Sequence, residues 1–369
     1  MEVFGRKKRK IQQMSVMYLV VIGILIVTQC QARYPGVSSL SSEIIKEIDT
    51  ASKSESMVKR LLSMKSEVEK IRTSNQINER PVIGIFSQPY NETNDYIMAS
   101  YVKFVESAGA RVVPIIWRDS DEKVLNLVPK LNGALFPGGA TALKNEDGSL
   151  TEHARKIEIV LNKIKELNDQ GIYYPILSIC MGFQEISQSE APYRDTVELY
   201  KFDANDVANN ITLRYSIVDS KLFNQMPQHL INALQNENIT YNHHHDGIYP
   251  SIWDKYPALG GGYHLLGTSY DEKGVEYVAF IENKKYPIWG LQFHPEKNIF
   301  TWKTDMKVPH SQVSIEFSQF LANFFVKESK KNFNRFDSEE EIFDNMIEHF
   351  PVDLPQLKRQ DVYLFADSG

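Results

Sequence analysis

The stretch YYPILSICMGFQEIS, residues 173 to 187, decides how the chain is read. Its first half is an apolar run of strand length ending at Ile179, and its second half has helical spacing. Cys180 stands at the junction. A strand that stops at a nucleophile and turns directly into a helix is an elbow: the sharp turn pushes the side chain out of the sheet. It also aims the first helical amides at whatever that side chain attacks. A helix N-terminus favours a thiolate over a thiol. Gly182 falls where a side chain would crowd the neighbouring strand. Cys-x-Gly alone is a weak signal, so its surroundings carry the weight.

Outward from Cys180, the chain alternates apolar strands with helices. VIGIF (82 to 86), RVVPII (111 to 116), NGALF (132 to 136) and YYPILSI (173 to 179) read as strands. NDYIMASYVKFVESAGA (94 to 110) reads as a helix capped by Asn94 or Asp95 and ended by Gly109. Residues 152 to 168 form an amphipathic helix. Later strand signals are NITLRYSIV (210 to 218), GVEYVAFIE (274 to 282) and PIWGLQF (287 to 293), and a last helix spans 311 to 329. Such alternation gives an α/β three-layer sandwich, a mainly parallel central sheet with helices on both faces. Ligands in these sheets sit beyond the carboxyl ends of the strands. Cys180 and the glycines of LFPGGA (135 to 140) fall at such ends and can share one crevice.

The 369 residues, 42% of them hydrophobic, suffice for one large domain. The formal net charge of -6 gives no reason to expect nucleic acid as a partner. Arg6 to Lys10 form a basic block, and the run from Ile11 to Ala32 is uncharged. Residues 1–32 therefore read as a signal peptide cleaved after about Ala32, or as an uncleaved signal-anchor. Either one places the rest in a lumen or outside the cell. Without an anchor, no stable membrane contact is expected. Sequons at Asn91, Asn210 and Asn238 agree with that compartment. Residues 33–78 read as a polar helical pro-segment or linker, residues 79–335 as the catalytic domain, and residues 336–369 as an acidic C-terminal appendage.

The only cysteines are Cys30 and Cys180, so cleavage would leave a single thiol with no intramolecular partner. A buried small hydrophobe is the bland account of such a thiol. The stretch GLQFHPEK (290 to 297) argues for more. His294 can take the thiol proton and later protonate a leaving amine. Glu296 lies on the same side if the segment stays extended, and can hold the imidazole tautomer. The backbone N–H of Gly138 or Gly139, paired with that of Met181, would make an oxyanion hole.

Together these motifs resemble the class I glutamine amidotransferase-like fold and, within it, the gamma-glutamyl hydrolases of peptidase family C26. The resemblance covers about residues 80 to 350. It includes ASYVKFVESAGARVVPI (99 to 115), LNGALFPGGA (131 to 140), FHPEKNIFTWK (293 to 303) and FLANFFVKESKKN (320 to 332). It implies Cys180 as nucleophile, His294 as general acid and base, and Glu296 as the group that orients His294. Gly139 and Met181 would supply the oxyanion hole, and Gly138 and His244, within YNHHHDGIYP (241 to 250), would face the substrate. Neighbouring histidines on an extended segment point to opposite faces, so no metal is expected, and no cofactor.

Two positions depart from the family pattern: Ser178 stands where a glycine is usual before the elbow, and Gln184 where related hydrolases often carry an acid. The implied reaction is cleavage of gamma-glutamyl amides of folate or antifolate poly-gamma-glutamates through a thioester, in a lysosome, a vacuole or the extracellular space. A homodimer is compatible with it. The alternatives are a glutaminase-type amidotransferase subunit and a non-catalytic binding protein on the same fold.

Overall fold

The computed structural model describes residues 77–190, 200–353 and 360–366, all within one compact unit, Ile77–Gly369. The signal segment and all but the last two residues of the polar arm lie outside the described residues. In chain order the strands are β1 (Val82–Phe86), β2 (Gln88–Pro89), β3 (Asn94–Met98), β4 (Arg111–Ile115), β5 (Gly133–Phe136), β6 (Ile176–Ile179) and β7 (Tyr200–Asn209). They continue as β8 (Thr212–Leu213), β9 (Thr240–Gly247), β10 (Tyr263–Tyr270), β11 (Glu276–Asn283), β12 (Ile288–Leu291), β13 (Val352–Asp353) and β14 (Val362–Ala366).

The central sheet has eight strands in the order β4-β1-β5-β6-β12-β11-β10-β8. From β4 to β12 the pairing is parallel, and from β12 to β8 it is antiparallel. The apolar runs are nearly continuous because both faces are covered. Ile83, Ile85, Leu177, Ile179, Trp289 and Leu291 project to one face, against the helices Ala99–Glu106 and Gln312–Ser329. Their strand neighbours Val82, Phe86, Ile176 and Ile288 project to the other, against the helices Glu152–Asp169 and Met181–Ser189. This period of two splits the core into two layers. Each aliphatic or aromatic side chain buried there contributes about 1.5–3 kcal/mol. The three-layer sandwich anticipated from the sequence is the fold observed.

Two local expectations are corrected. The helix expected over 94–110 begins only at Ala99; Asn94–Met98 is a strand, paired with β14 and β2. Asp95 caps nothing. It is buried and accepts from Trp117 Nε1 at 2.8 Å and Arg118 Nε at 2.7 Å. Helical periodicity could not reveal a partner strand more than 260 residues away in sequence. Within 210–218 only Thr212–Leu213 pairs as a strand. Beyond the last long helix, residues 336–353 and 360–366 are described. Their acidic helix Glu339–Asn345 is mostly solvent-facing, yet Phe336, Ile342, Ile347, Val362 and Phe365 are buried. β9 pairs with β7 in an antiparallel ribbon, and β10 pairs with β11 in the central sheet.

The pairing of β14 with β3 predicts that the C-terminal strand is structural. Phe365 is 1% exposed and meets Phe350 edge-on at 4.9 Å between centroids. Phe365→Ala should lower the unfolding free energy by about 3–5 kcal/mol. Urea unfolding should show this as a lower midpoint at unchanged slope, and a midpoint that does not move would show the strand to be dispensable.

Candidate active site

Cys180 sits at the elbow with φ 53° and ψ -108°, one of two non-glycine residues with positive φ among those described. A side chain in that region is strained by about 1–3 kcal/mol and persists only where its surroundings over-determine it. They do so here. The Cys180 N–H donates to Leu291 O at 2.7 Å, and its carbonyl accepts from Gln184 N at 3.1 Å. Gly182 packs against β5 so closely that a Cβ there would lie 2.3 Å from Phe136 O. Ser178 does not disturb the turn, because its Oγ donates to Trp289 O at 3.0 Å across the adjacent strand.

The register of β6 with β12 sets Ile179 opposite Leu291, so the residues after both strands leave the sheet at the same edge. His294 is thereby brought beside Cys180. Its Nδ1 lies 2.8 Å from Glu296 Oε1, which leaves Nε2 for the sulfur. This contact does not come from an extended segment. Glu296 is helical in backbone conformation, and the chain folds back at Pro295 instead of staying extended. Both side chains are buried.

Burial alone would push the His294 pKa down. The Glu296 carboxylate and the Cys180 sulfur, by charge and by hydrogen bonding, outweigh that and raise it to about 9. Burial acts on Glu296 in the opposite sense, and the His294 charge overcomes it and holds the carboxyl below its usual range. The triad is therefore an imidazolium clamped between a carboxylate and a sulfur.

The twin glycines close the crevice. A Cβ on Gly138 would lie 2.7 Å from His294 Cε1 and 3.1 Å from Cys180 Cβ. Only a glycine leaves the reacting pair room. The Gly138 N–H is already committed, donating to Tyr101 Oη at 2.9 Å. The Gly138 amide is therefore not a free donor. Gly139 lies beside Met181, whose Cε would be 2.8 Å from a Cβ on Gly139. Tyr101 Oη is also 3.3 Å from His294 Nδ1. Sequence reasoning missed Tyr101, since an aromatic at helical spacing reads as core.

His244 is buried on β9, with Nδ1 3.0 Å from Asp246 O and its ring edge-on to Tyr277 at 4.9 Å. Burial, reinforced by the charge of His294, pushes its pKa down to about 3. His243 and His245 are exposed, the alternation expected of a strand. Among the described residues no cluster of His, Cys, Asp or Glu is arranged to hold a metal. Gln184 Nε2 donates to Asp246 O at 2.7 Å, and Glu185 meets His153 Nδ1 at 3.3 Å.

The site is thus a buried thiol at a strained strand-to-helix elbow of an α/β fold, with a histidine and a carboxylate fixed beside it. The family model Peptidase C26 matches residues 81–296, and the chain belongs to the peptidase C26 family. It is 33% identical to gamma-glutamyl hydrolase B of Dictyostelium discoideum over 309 residues, 82% of this chain and 87% of that protein. It is 35% identical to gamma-glutamyl hydrolase 1 of Arabidopsis thaliana, over 74% of this chain and 78% of that protein. Human gamma-glutamyl hydrolase is 32% identical, over 76% of this chain and 87% of that protein.

A test of the electrostatics follows from His294. A histidine raised to about 9 keeps its proton through neutral pH and loses it above that value. An alkaline limb of kcat/KM near pH 9 should therefore report it. Glu296→Gln removes the carboxylate and should move that limb down by about 1 to 3 pH units. An unmoved limb in a folded variant would mean that Glu296 does not tune the imidazole.

Proposed function

We propose that the chain hydrolyses gamma-glutamyl amide bonds by acyl transfer to Cys180. The Cys180 thiolate attacks the gamma-carbonyl carbon, and its oxygen, carrying the negative charge, is held by the N–H groups of Gly139 and Met181. His294 gives its proton to the departing amine as the C–N bond breaks, leaving a thioester. The neutral imidazole then takes a proton from water. The resulting hydroxide adds to the thioester carbon, and sulfur leaves with the gamma-carboxylate product released. Glu296 holds the imidazole tautomer throughout.

The observation that carries this reading is Cys180 at φ 53°, because a strained backbone at a nucleophile is retained only where the rest of the fold enforces it. The relatives named as gamma-glutamyl hydrolases support the bond class. Poly-gamma-glutamates of folates or antifolates are the proposed substrates, in the secretory pathway, with a lysosome, a vacuole or the cell exterior as destination. An acidic lumen suits the site. Neither His244, near 3, nor His294, near 9, changes protonation across the interval from lysosomal to neutral pH. Asn91 and Asn238 are exposed and open to a glycan, whereas Asn210 Nδ2 is tied to Gln235 O at 2.8 Å. Among the described residues no helix is long and apolar enough to cross a membrane.

Purified protein should release glutamate or glutamyl peptides from pteroyl-polyglutamate and little ammonia from glutamine. Cys180→Ala should abolish turnover while leaving the fold intact, since Ala removes only the sulfur. Ammonia from glutamine alone would point instead to an amidotransferase, and silence on both substrates to a binding protein.

A further inference from the structure

Tyr101 takes no part in the steps above, yet its hydroxyl touches His294, which does, and Gly138, the neighbour of Gly139. The side chain is 1% exposed and rises from the helix Ala99–Glu106. Its Oη accepts the Gly138 N–H at 2.9 Å and lies 3.3 Å from His294 Nδ1. Burial, with the charges of Glu296 and Cys180 nearby, holds the phenol pKa well above its usual value, so this group is a neutral hydroxyl at working pH.

Two adjacent glycine amides border the nucleophile, and either could in principle face a developing oxyanion. A buried N–H without an acceptor is costly, and Tyr101 Oη supplies the acceptor for the first of the pair. With the Gly138 amide committed to the helix side, the next donor along the loop is that of Gly139, beside Met181. We infer that Tyr101 is a positioning residue for the oxyanion hole: its hydroxyl ties down the Gly138 amide and so assigns the oxyanion to Gly139 and Met181. The same hydroxyl spans to the imidazole and fixes the loop at a set distance from His294. This inference rests on Cys180 and His294 being the reacting pair.

Tyr101→Phe keeps the ring and removes the oxygen. Two reactions of the same thiolate then separate the roles. Hydrolysis of a gamma-glutamyl amide passes through a tetrahedral oxyanion. Alkylation by iodoacetamide does not, since sulfur displaces iodide from a methylene carbon and no charge develops on a carbonyl oxygen. The variant should lose about 10- to 100-fold in kcat, with KM and alkylation rate each within about threefold of wild type. Its alkaline limb should stay where the wild-type limb lies.

An unchanged kcat would overturn the inference, leaving the hydroxyl as packing. A parallel loss of alkylation would also overturn it, since the residue would then act through the thiol and imidazole or through the fold. If wild-type protein cleaves no gamma-glutamyl substrate, the underlying assignment fails and takes the inference with it. An active wild type with a fully active Tyr101→Phe variant sinks the inference alone.

Discussion

The parallel pairing of β6 with β12 is the constraint on which the site depends. Four register pairs, Ile176 with Ile288 through Ile179 with Leu291, bring two segments more than 100 residues apart to one edge of the sheet. The last bond of that ladder, Cys180 N–H to Leu291 O at 2.7 Å, also helps hold Cys180 at its positive φ. A slip of one residue would exchange the two faces of the strand and carry the sulfur away from His294. On the other side, β5 pairs with β6 so that Phe136 lies opposite Ser178, which delivers the glycine loop to the same edge. Cys180, His294 and the glycine loop are thus brought to one edge by backbone hydrogen bonds between strands.

The second constraint is electrostatic. Taking an imidazolium and a carboxylate out of water is expensive, and their attraction offsets that only when geometry and hydrogen bonding are good. His294 and Glu296 meet at 2.8 Å with both side chains buried, and Lys297 Nζ stands 4.0 Å from the same carboxylate oxygen. The opposite displacements of the two pKa values have this common origin.

Support for the site extends into the C-terminal residues. β14 pairs along the whole of β3, and Asp361 O accepts the N–H of Ala99, the first residue of the helix that carries Tyr101. The end of the chain therefore braces the entry of that helix and, through it, the Gly138 loop. Segments that read as polar periphery take part in holding the crevice because strand pairing uses backbone groups, which composition does not report.

The sequence by itself determined the alternation of buried strands and helices, the strand-to-helix junction at Cys180, and the chemical types of His294, Glu296 and the twin glycines. These are local properties, written in periodicity, in the need for a bare backbone at Gly138 and Gly182, and in the titration range of imidazole. Tertiary structure decided which distant segments meet: that Asn94–Met98 is a strand, that Glu296 reaches His294 through a fold-back and not an extended run, and that Tyr101 occupies one of the two glycine amides. The strand and the Tyr101 bond each depend on a partner far away in the chain, and hydrogen bonds between distant segments leave no periodic trace in either one, whereas the turn at Glu296 is a local departure from the extended spacing.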